Sequence, residues 1–219
     1  MMTIELNDIS YAIDNRTIFQ HVNGRLDGGC MIALTGPSGC GKTSLLNVAS
    51  LLCKPSAGDV VVDGAGTSHW NDRKRRLFWK NKASFIYQDY GLIDDETVLY
   101  NLTFKRGFLQ SKKTKMPRRL SDLLAETGML NRVNETAAVL SGGEKQRIAI
   151  VRALWKRSAY IFADEPTASL DAANRKMVVD LLKSAVRKGA CVVVSTHDLE
   201  LANVCDQVID LSQLNFVYR

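Results

Sequence analysis

Apolar and polar positions change rhythm twice along the chain. Near the N-terminus, Ile4, Leu6 and Ile9 stand among polar neighbours, and Met31-Ile-Ala-Leu34 is a short apolar run ending in a glycine-rich loop, so strands are predicted there. A helix is predicted at once afterwards, with Leu45, Leu46, Val48, Ala49, Leu51 and Leu52 crowding one region until Lys54-Pro55 stops it. Val60-Val-Val-Asp63-Gly64 reads as a strand running into a turn. From Leu92 to Val139 the spacing is helical (Leu120, Leu123, Leu124; Met129, Leu130), broken by Gly107, Pro117 and Gly128. Alternation then returns. A helix over Gly142–Trp155 precedes the strand Tyr160-Ile-Phe-Ala163; a second helix, Asp171–Lys188, is closed by Gly189 and followed by the strand Cys191-Val-Val-Val194. Strands alternating with helices of this length predict an α/β fold with a mainly parallel sheet covered on both faces. Residues 1–91 and 140–219 form its frame, and 92–139 is a small inserted helical subdomain.

Composition narrows the class. A chain of 219 residues suits one domain with a closely attached subdomain, and 46% apolar against 24% charged residues supports a sizeable core. No apolar run approaches the roughly 18 residues a membrane-spanning helix needs, and Met1–Ser10 lacks the basic-then-apolar order of a secretory signal. Five cysteines, with no CxxC pair, fit reduced thiols in a cytoplasmic protein. The net charge of +6 is unevenly placed: 13 Lys or Arg against 4 Asp or Glu lie between Arg73 and Arg119, and the remainder is net negative. A uniformly basic nucleic-acid binder would not be built so.

Three segments carry chemistry. Gly36-Pro37-Ser38-Gly39-Cys40-Gly41-Lys42-Thr43, with Ser44 next, fits GxxxxGK[ST] after an apolar strand and before a helix. Glycines let backbone N–H groups turn inward around phosphate oxygens, and the helix N-terminus adds partial positive charge. Lys42 is expected to reach the β- and γ-phosphates, and the Thr43 hydroxyl to ligate Mg²⁺. The apolar strand ending in Asp164-Glu165 puts one carboxylate beside that metal and the next where it can polarise an attacking water. Leu140-Ser141-Gly142-Gly143-Glu144-Lys-Gln-Arg147 makes a second anion-binding helix N-terminus, one too many for a single phosphate site. The useful reading is that it caps the γ-phosphate held by another copy of the chain.

These segments, with Ser169-Leu170-Asp171, resemble the nucleotide-binding subunits of ATP-binding cassette transporters. The resemblance covers essentially the whole chain and implies a P-loop NTPase (RecA-like) core with an antiparallel β subdomain and the helical insertion. It implies that Tyr11, 25 positions before Gly36, stacks on adenine, and that Gln88 touches Mg²⁺ and the water and contacts the permease. Asp171 resembles the loop residue linking the two sites across a dimer, and His197, in Ser-Thr-His-Asp, the histidine on the γ-phosphate. Tyr90–Leu102 and Ala163–Asp171 look like the macrolide-export and lipoprotein-release group, with Ala168 where glycine is common and Tyr87 where phenylalanine is.

The expected protein is therefore a Mg²⁺-dependent ATPase on the cytoplasmic face of a membrane, a head-to-tail homodimer with two shared ATP sites, powering a separate permease. Export or extraction of a hydrophobic or peptide-like substrate follows from the subgroup. The basic runs Arg73–Arg76 and Lys112–Lys115 suggest an anionic lipid surface, with no nucleic acid expected. The rival reading is a soluble cassette ATPase acting on nucleic acid or ribosomes, though such chains usually carry two cassettes or a coiled-coil insertion. Oxidation of Cys40 inside the phosphate loop is a candidate regulatory step.

Overall fold

The computed structural model describes residues 2–14, 16–105, 116–168 and 170–212; Ser169, Gly107 and the run Lys112–Lys115 lie outside them. Two sheets carry the chain. The first is antiparallel, in the order β2 (Arg16–Asp27), β1 (Thr3–Ile13), β4 (Ala57–Val62), β5 (Ala65–Gly66). Asp63 and Gly64 turn between β4 and β5 with φ of 52° and 80°, the left-handed pair that a two-residue hairpin demands. The second is parallel throughout, in the order β6 (Ala83–Ile86), β7 (Tyr160–Asp164), β8 (Cys191–Ser195), β3 (Met31–Thr35), β9 (Gln207–Asp210).

Side-chain alternation explains why the central parallel strands read as unbroken apolar runs. Ile32 and Leu34, Tyr160 and Phe162, and Cys191 and Val193 face one core, shared with the antiparallel sheet and with α1 (Lys42–Ala49). Met31 and Ala33, Ile161 and Ala163, and Val192 and Val194 face the other. That second core is closed by α5 (Gly142–Trp155), α6 (Ala172–Arg187) and α7 (Leu199–Asn203). Both faces of the sheet are thus buried, as a parallel sheet requires.

A third apolar cluster lies beside this frame. It joins α3 (Val98–Thr103) and α4 (Arg118–Glu126) through Val98, Leu102, Leu120 and Leu124 to Ile148 and Val151 of α5. Because α5 gives Ile148 and Val151 to this cluster and Ala149, Ile150 and Ala153 to the sheet, it is apolar nearly all round.

Two expectations change. The first helix ends at Ala49, not at Lys54-Pro55. Ser50 caps it, and Leu51 takes a φ of 64° that turns its side chain into the first core, where it is 1% exposed. Burial of one leucine outweighs the helical pattern. The run Arg73–Arg76, read as one basic surface run, does not lie wholly at the surface. It lies in α2 (Asp72–Asn81), capped by Asn71 Oδ1 accepting from the Lys74 N–H. Arg75 is buried beside the Leu51 carbonyl, at 3.5 Å, and Lys74 lies over the Trp70 ring.

Candidate functional site

The carboxyl ends of three adjacent parallel strands converge, β7 at Asp164, β8 at Ser195 and β3 at Thr35, the edge at which α/β sheets bind ligands. Beyond β3 the chain turns through Gly36–Gly41 into α1. Gly41 precedes the helix with a φ of 100°, and a Cβ there would come within 2.8 Å of Ile18. Only glycine suits that position. Lys42 is 9% exposed and donates from Nζ to the carbonyls of Gly36 at 2.9 Å and Pro37 at 3.1 Å. The cation thus spans the mouth of its own loop, an arrangement that phosphate oxygens can replace. Cys40 sits under the same loop, its Sγ 2.7 Å from a Cβ built on Gly36.

Thr43 donates from Oγ1 to Asp164 Oδ1 at 3.1 Å, and the Ser195 hydroxyl donates to the same oxygen. Hydroxyl and carboxylate meeting at this spacing are hard oxygen donors of the kind Mg²⁺ takes with phosphates, so the residues present fit the ion. The next residue, Glu165, adopts a φ of 47°, a strain of the kind retained at functional sites. Its backbone N–H donates to the Ser195 carbonyl at 3.0 Å, and its Oε1 lies 2.9 Å from His197 Nδ1. The Glu165 side chain is 14% exposed and that of His197 69%, so a half-enclosed carboxylate meets a ring open to solvent. A cleft of about 440 Å³ opens there, lined by Glu165, Thr167, Ala168, Arg175 and His197 among others.

Tyr11, on β1, stacks against Phe19 with centroids 5.9 Å apart, and Phe19 in turn reaches within 3.3 Å of a Cβ placed on Gly41. The aromatic pair therefore borders the phosphate loop. A hydrogen bond with Cys53, together with burial, pushes the Tyr11 hydroxyl above its ordinary value. Gln88 lies exposed in the turn that follows β6. Tyr87, just before it, stacks on Phe85 with centroids 4.5 Å apart.

The Leu140–Arg147 segment forms the start of α5 with a full capping box. Ser141 N–H and Oγ donate to Glu144 Oε2 at 2.8 and 2.9 Å, and the Glu144 N–H reaches back to Ser141 Oγ at 3.4 Å. Arg132 donates to the other Glu144 oxygen at 2.8 Å. The Ser141 N–H above all, then the Ser141 hydroxyl and Arg132, hold the Glu144 carboxyl below the usual range despite some burial. Glu144 thus organises the helix start, and the glycine pair stands in front of it. Asp171 caps α6, and the hydrogen bonds from Asn174 hold its carboxyl below the usual range.

Sequence reasoning passed over several of these partners. Ser195 and Thr196, whose hydroxyls approach Asp164 and Glu165, stand immediately before His197 and were open to inspection there. Gln146, buried and donating to the Pro166 carbonyl at 2.9 Å, joins α5 to the loop after Glu165. No local pattern marks that link across 20 residues. A larger cavity, about 750 Å³, lies at the opposite edge of the sheet between the ends of α4, α5 and α6, and none of the sequence-predicted site residues lines it.

The family model described as ABC transporter matches residues 19–168. The lipoprotein-releasing system ATP-binding protein LolD of Saccharophagus degradans is 38% identical over 89% of this chain and 86% of its own. The macrolide export ATP-binding/permease protein MacB of Pectobacterium atrosepticum is 35% identical over 89% of this chain, which spans only 30% of that protein. Dimeric structures of the bacterial ABC transporter cassette MJ0796, one of them in a post-hydrolysis state bound to ADP and Pi, superpose with a TM-score of 0.82. They are 29% identical, with 94% of this chain and 93% of that one covered.

Proposed function

The chain belongs to the ABC transporter family as an ATPase subunit that powers a membrane permease, and we propose that it works as a homodimer with two shared ATP sites. Each ATP lies between Gly36–Ser44 of one copy and Ser141–Glu144 of the other. The observation that carries the catalytic part of this reading is the meeting of Thr43 with Asp164, and of Glu165 with His197, on adjacent strand ends, and the dimeric MJ0796 cassettes support the pairing.

Within one copy, Tyr11 stacks on adenine and the Gly36–Gly41 backbone wraps the phosphates. Lys42 exchanges its loop carbonyls for β- and γ-phosphate oxygens, a charge-assisted contact stronger than the neutral ones it replaces. Thr43, Asp164 and Gln88 would hold Mg²⁺, which when bound would supply positive charge to offset that of the phosphates. Glu165 orients the attacking water and takes its proton as the oxygen closes on the γ-phosphorus and the bond to ADP breaks. His197, fixed by Glu165 through Nδ1, presents its other ring nitrogen toward the γ-phosphate.

Closure follows from helix ends. The N–H groups of Gly142 and Gly143 at the start of α5 find an anion only when the second copy carries a γ-phosphate, so ATP draws the pair together. Cleavage removes that bridge, and the pair opens. With the core at 1–91 and 140–219 and the helical subdomain at 92–139, this motion passes through Gln88 and the helical subdomain to the permease, on the cytoplasmic side of the membrane. Relatives named for lipoprotein release and macrolide export support export or extraction of a hydrophobic or peptide-like substrate. An anionic lipid surface is a further partner, approached through α2.

The test is Glu165→Gln. ATP binding should persist, turnover should fall by a factor of about a hundred or more, and an ATP-dependent dimer should accumulate on size exclusion with light scattering. Turnover near the wild-type rate would remove Glu165 from the water-polarising role.

A further inference from the structure

The start of α5 and the start of α6 meet through one short chain of hydrogen bonds. Arg147, on α5, donates from a terminal guanidinium nitrogen to Asn174 Oδ1 at 2.7 Å. The Asn174 side-chain amide donates to Asp171 Oδ2 at 2.9 Å, and its backbone N–H to Asp171 Oδ1 at 2.8 Å. A single residue therefore aims both Asp171 oxygens. At the other end of the chain, a Cβ built on Gly143 would lie 3.7 Å from Leu170 and 3.9 Å from Arg147. Gly143, the residue before Asp171 and the Arg147 head group are thus near neighbours.

Helix capping does not require this much. The Asp171 carboxylate on the Asn174 backbone N–H already starts α6, and the amide side chain adds nothing to that bond. What the amide adds is a bridge to α5. Arg147 also leaves its buried Nε without a hydrogen-bond partner, a local cost that the terminal contact to Asn174 offsets.

We infer that Asn174 is a positioning residue that, with Arg147, ties the phosphate-capping glycines of one copy to Asp171 of the same copy and so makes the two ATP sites respond together. This rests on the shared-site dimer proposed above, in which Ser141–Glu144 and Asp171 of each copy face the other copy. A γ-phosphate arriving against Gly142 and Gly143 seats the start of α5. Arg147 and Asn174 hold Asp171 at a fixed distance from that helix start, so seating one site against the partner copy also seats the loop that links the second.

The experiment uses the full chain. Asn174→Leu keeps side-chain size and the backbone cap while removing both side-chain hydrogen bonds. Asn174→Asp, the second variant, keeps the acceptor for Arg147 but sets a carboxylate against Asp171. ATP hydrolysis is followed against ATP concentration, and monomer affinity with a fluorescent ATP analogue. Wild-type turnover should be sigmoidal in ATP; in both variants it should become hyperbolic and kcat should fall about fivefold or more, with monomer affinity unchanged. Adding Arg147→Met to Asn174→Leu should cost nothing further, as members of one linkage do not add. Wild-type sigmoidicity in Asn174→Leu, or strictly additive losses with Arg147→Met, would overturn the inference. The dimer reading is judged separately: Glu165→Gln that never dimerises with ATP sinks that reading whatever Asn174 does.

Discussion

Gly142 and Gly143 are neighbours with different duties. A Cβ on Gly142 would meet the Tyr90 hydroxyl at 2.8 Å, whereas one on Gly143 meets nothing nearer than 3.7 Å. Gly142 is needed inside the subunit, so its replacement would confound folding with function. Gly143 has room, and its substitution reports on what arrives from outside. Gly143→Asp should therefore fold and bind ATP as a monomer with near wild-type affinity. Placed in Glu165→Gln, it should abolish the ATP-driven dimer, because its carboxylate would face the γ-phosphate. Light scattering that still finds ATP-dependent dimers would place the second anion-binding end elsewhere. At this scale much of the site was legible, since Lys42, Thr43, Asp164 and Glu165 stand in patterns whose chemistry is tied to spacing. Asn174 and Gln146 were not, because Arg147 and Pro166, their partners, lie 27 and 20 residues away and touch them only after the sheet has formed.

The joint between the two sheets depends on β7. Tyr160 is buried in its first turn of strand, and its hydroxyl donates to Asp63 Oδ1 at 2.5 Å and to the Thr3 carbonyl at 3.1 Å. Lys82 donates to the other Asp63 oxygen at 2.6 Å. The β4–β5 turn, strand β1 and the parallel sheet are thus pinned at one carboxylate. Burial pushes the Asp63 carboxyl up, but the bonds from Lys82, Tyr160 and Thr3 outweigh it and hold the group below the usual range. The folded pKa being the lower one, this stabilisation is present above the unfolded carboxylate value of about 4 and is lost as pH falls through the folded value. Tyr160→Phe should destabilise the protein by about 1 kcal/mol at neutral pH. Urea unfolding should show that loss shrinking as Asp63 becomes protonated; an unchanged midpoint would assign the joint to packing alone. Elements with a clear period, such as α5 and α6, were readable to within a residue of their ends. Helix α2 was not, because Leu77-Phe78-Trp79 is one apolar block with no 3.6-residue repeat around it. The end of α1 was misread because tertiary burial of Leu51 prevails over local pattern.

Over the whole molecule, charge and fold are arranged on different principles. Among the described residues, the basic excess between Arg73 and Arg119 does not form one patch. Arg75 is buried and Arg119 donates to the Leu154 and Trp155 carbonyls, whereas Arg73, Arg76 and Lys80 are exposed on α2 at helical spacing around Leu77, itself 47% exposed. That face suits anionic lipid, at about 1 kcal/mol per basic residue. Changing Arg73, Arg76 and Lys80 together to Gln should weaken binding to phosphatidylglycerol vesicles about a hundredfold and leave ATPase activity unaltered. Equal co-sedimentation of variant and wild type would discard the lipid surface. No helix among the described residues is long and apolar enough to cross a membrane. By itself the sequence determined the α/β class, the strand–loop–helix setting of Gly36–Thr43 and the place of Asp164 and Glu165 at a strand end, because backbone turns and strand burial demand local residue types. Only the tertiary structure decided which basic residues face solvent, where the apolar runs leave their helices, and that Arg147, Asn174 and Asp171 form one chain. Those outcomes depend on contacts between segments far apart in sequence, and such contacts exist only once the sheet has brought its strand ends together.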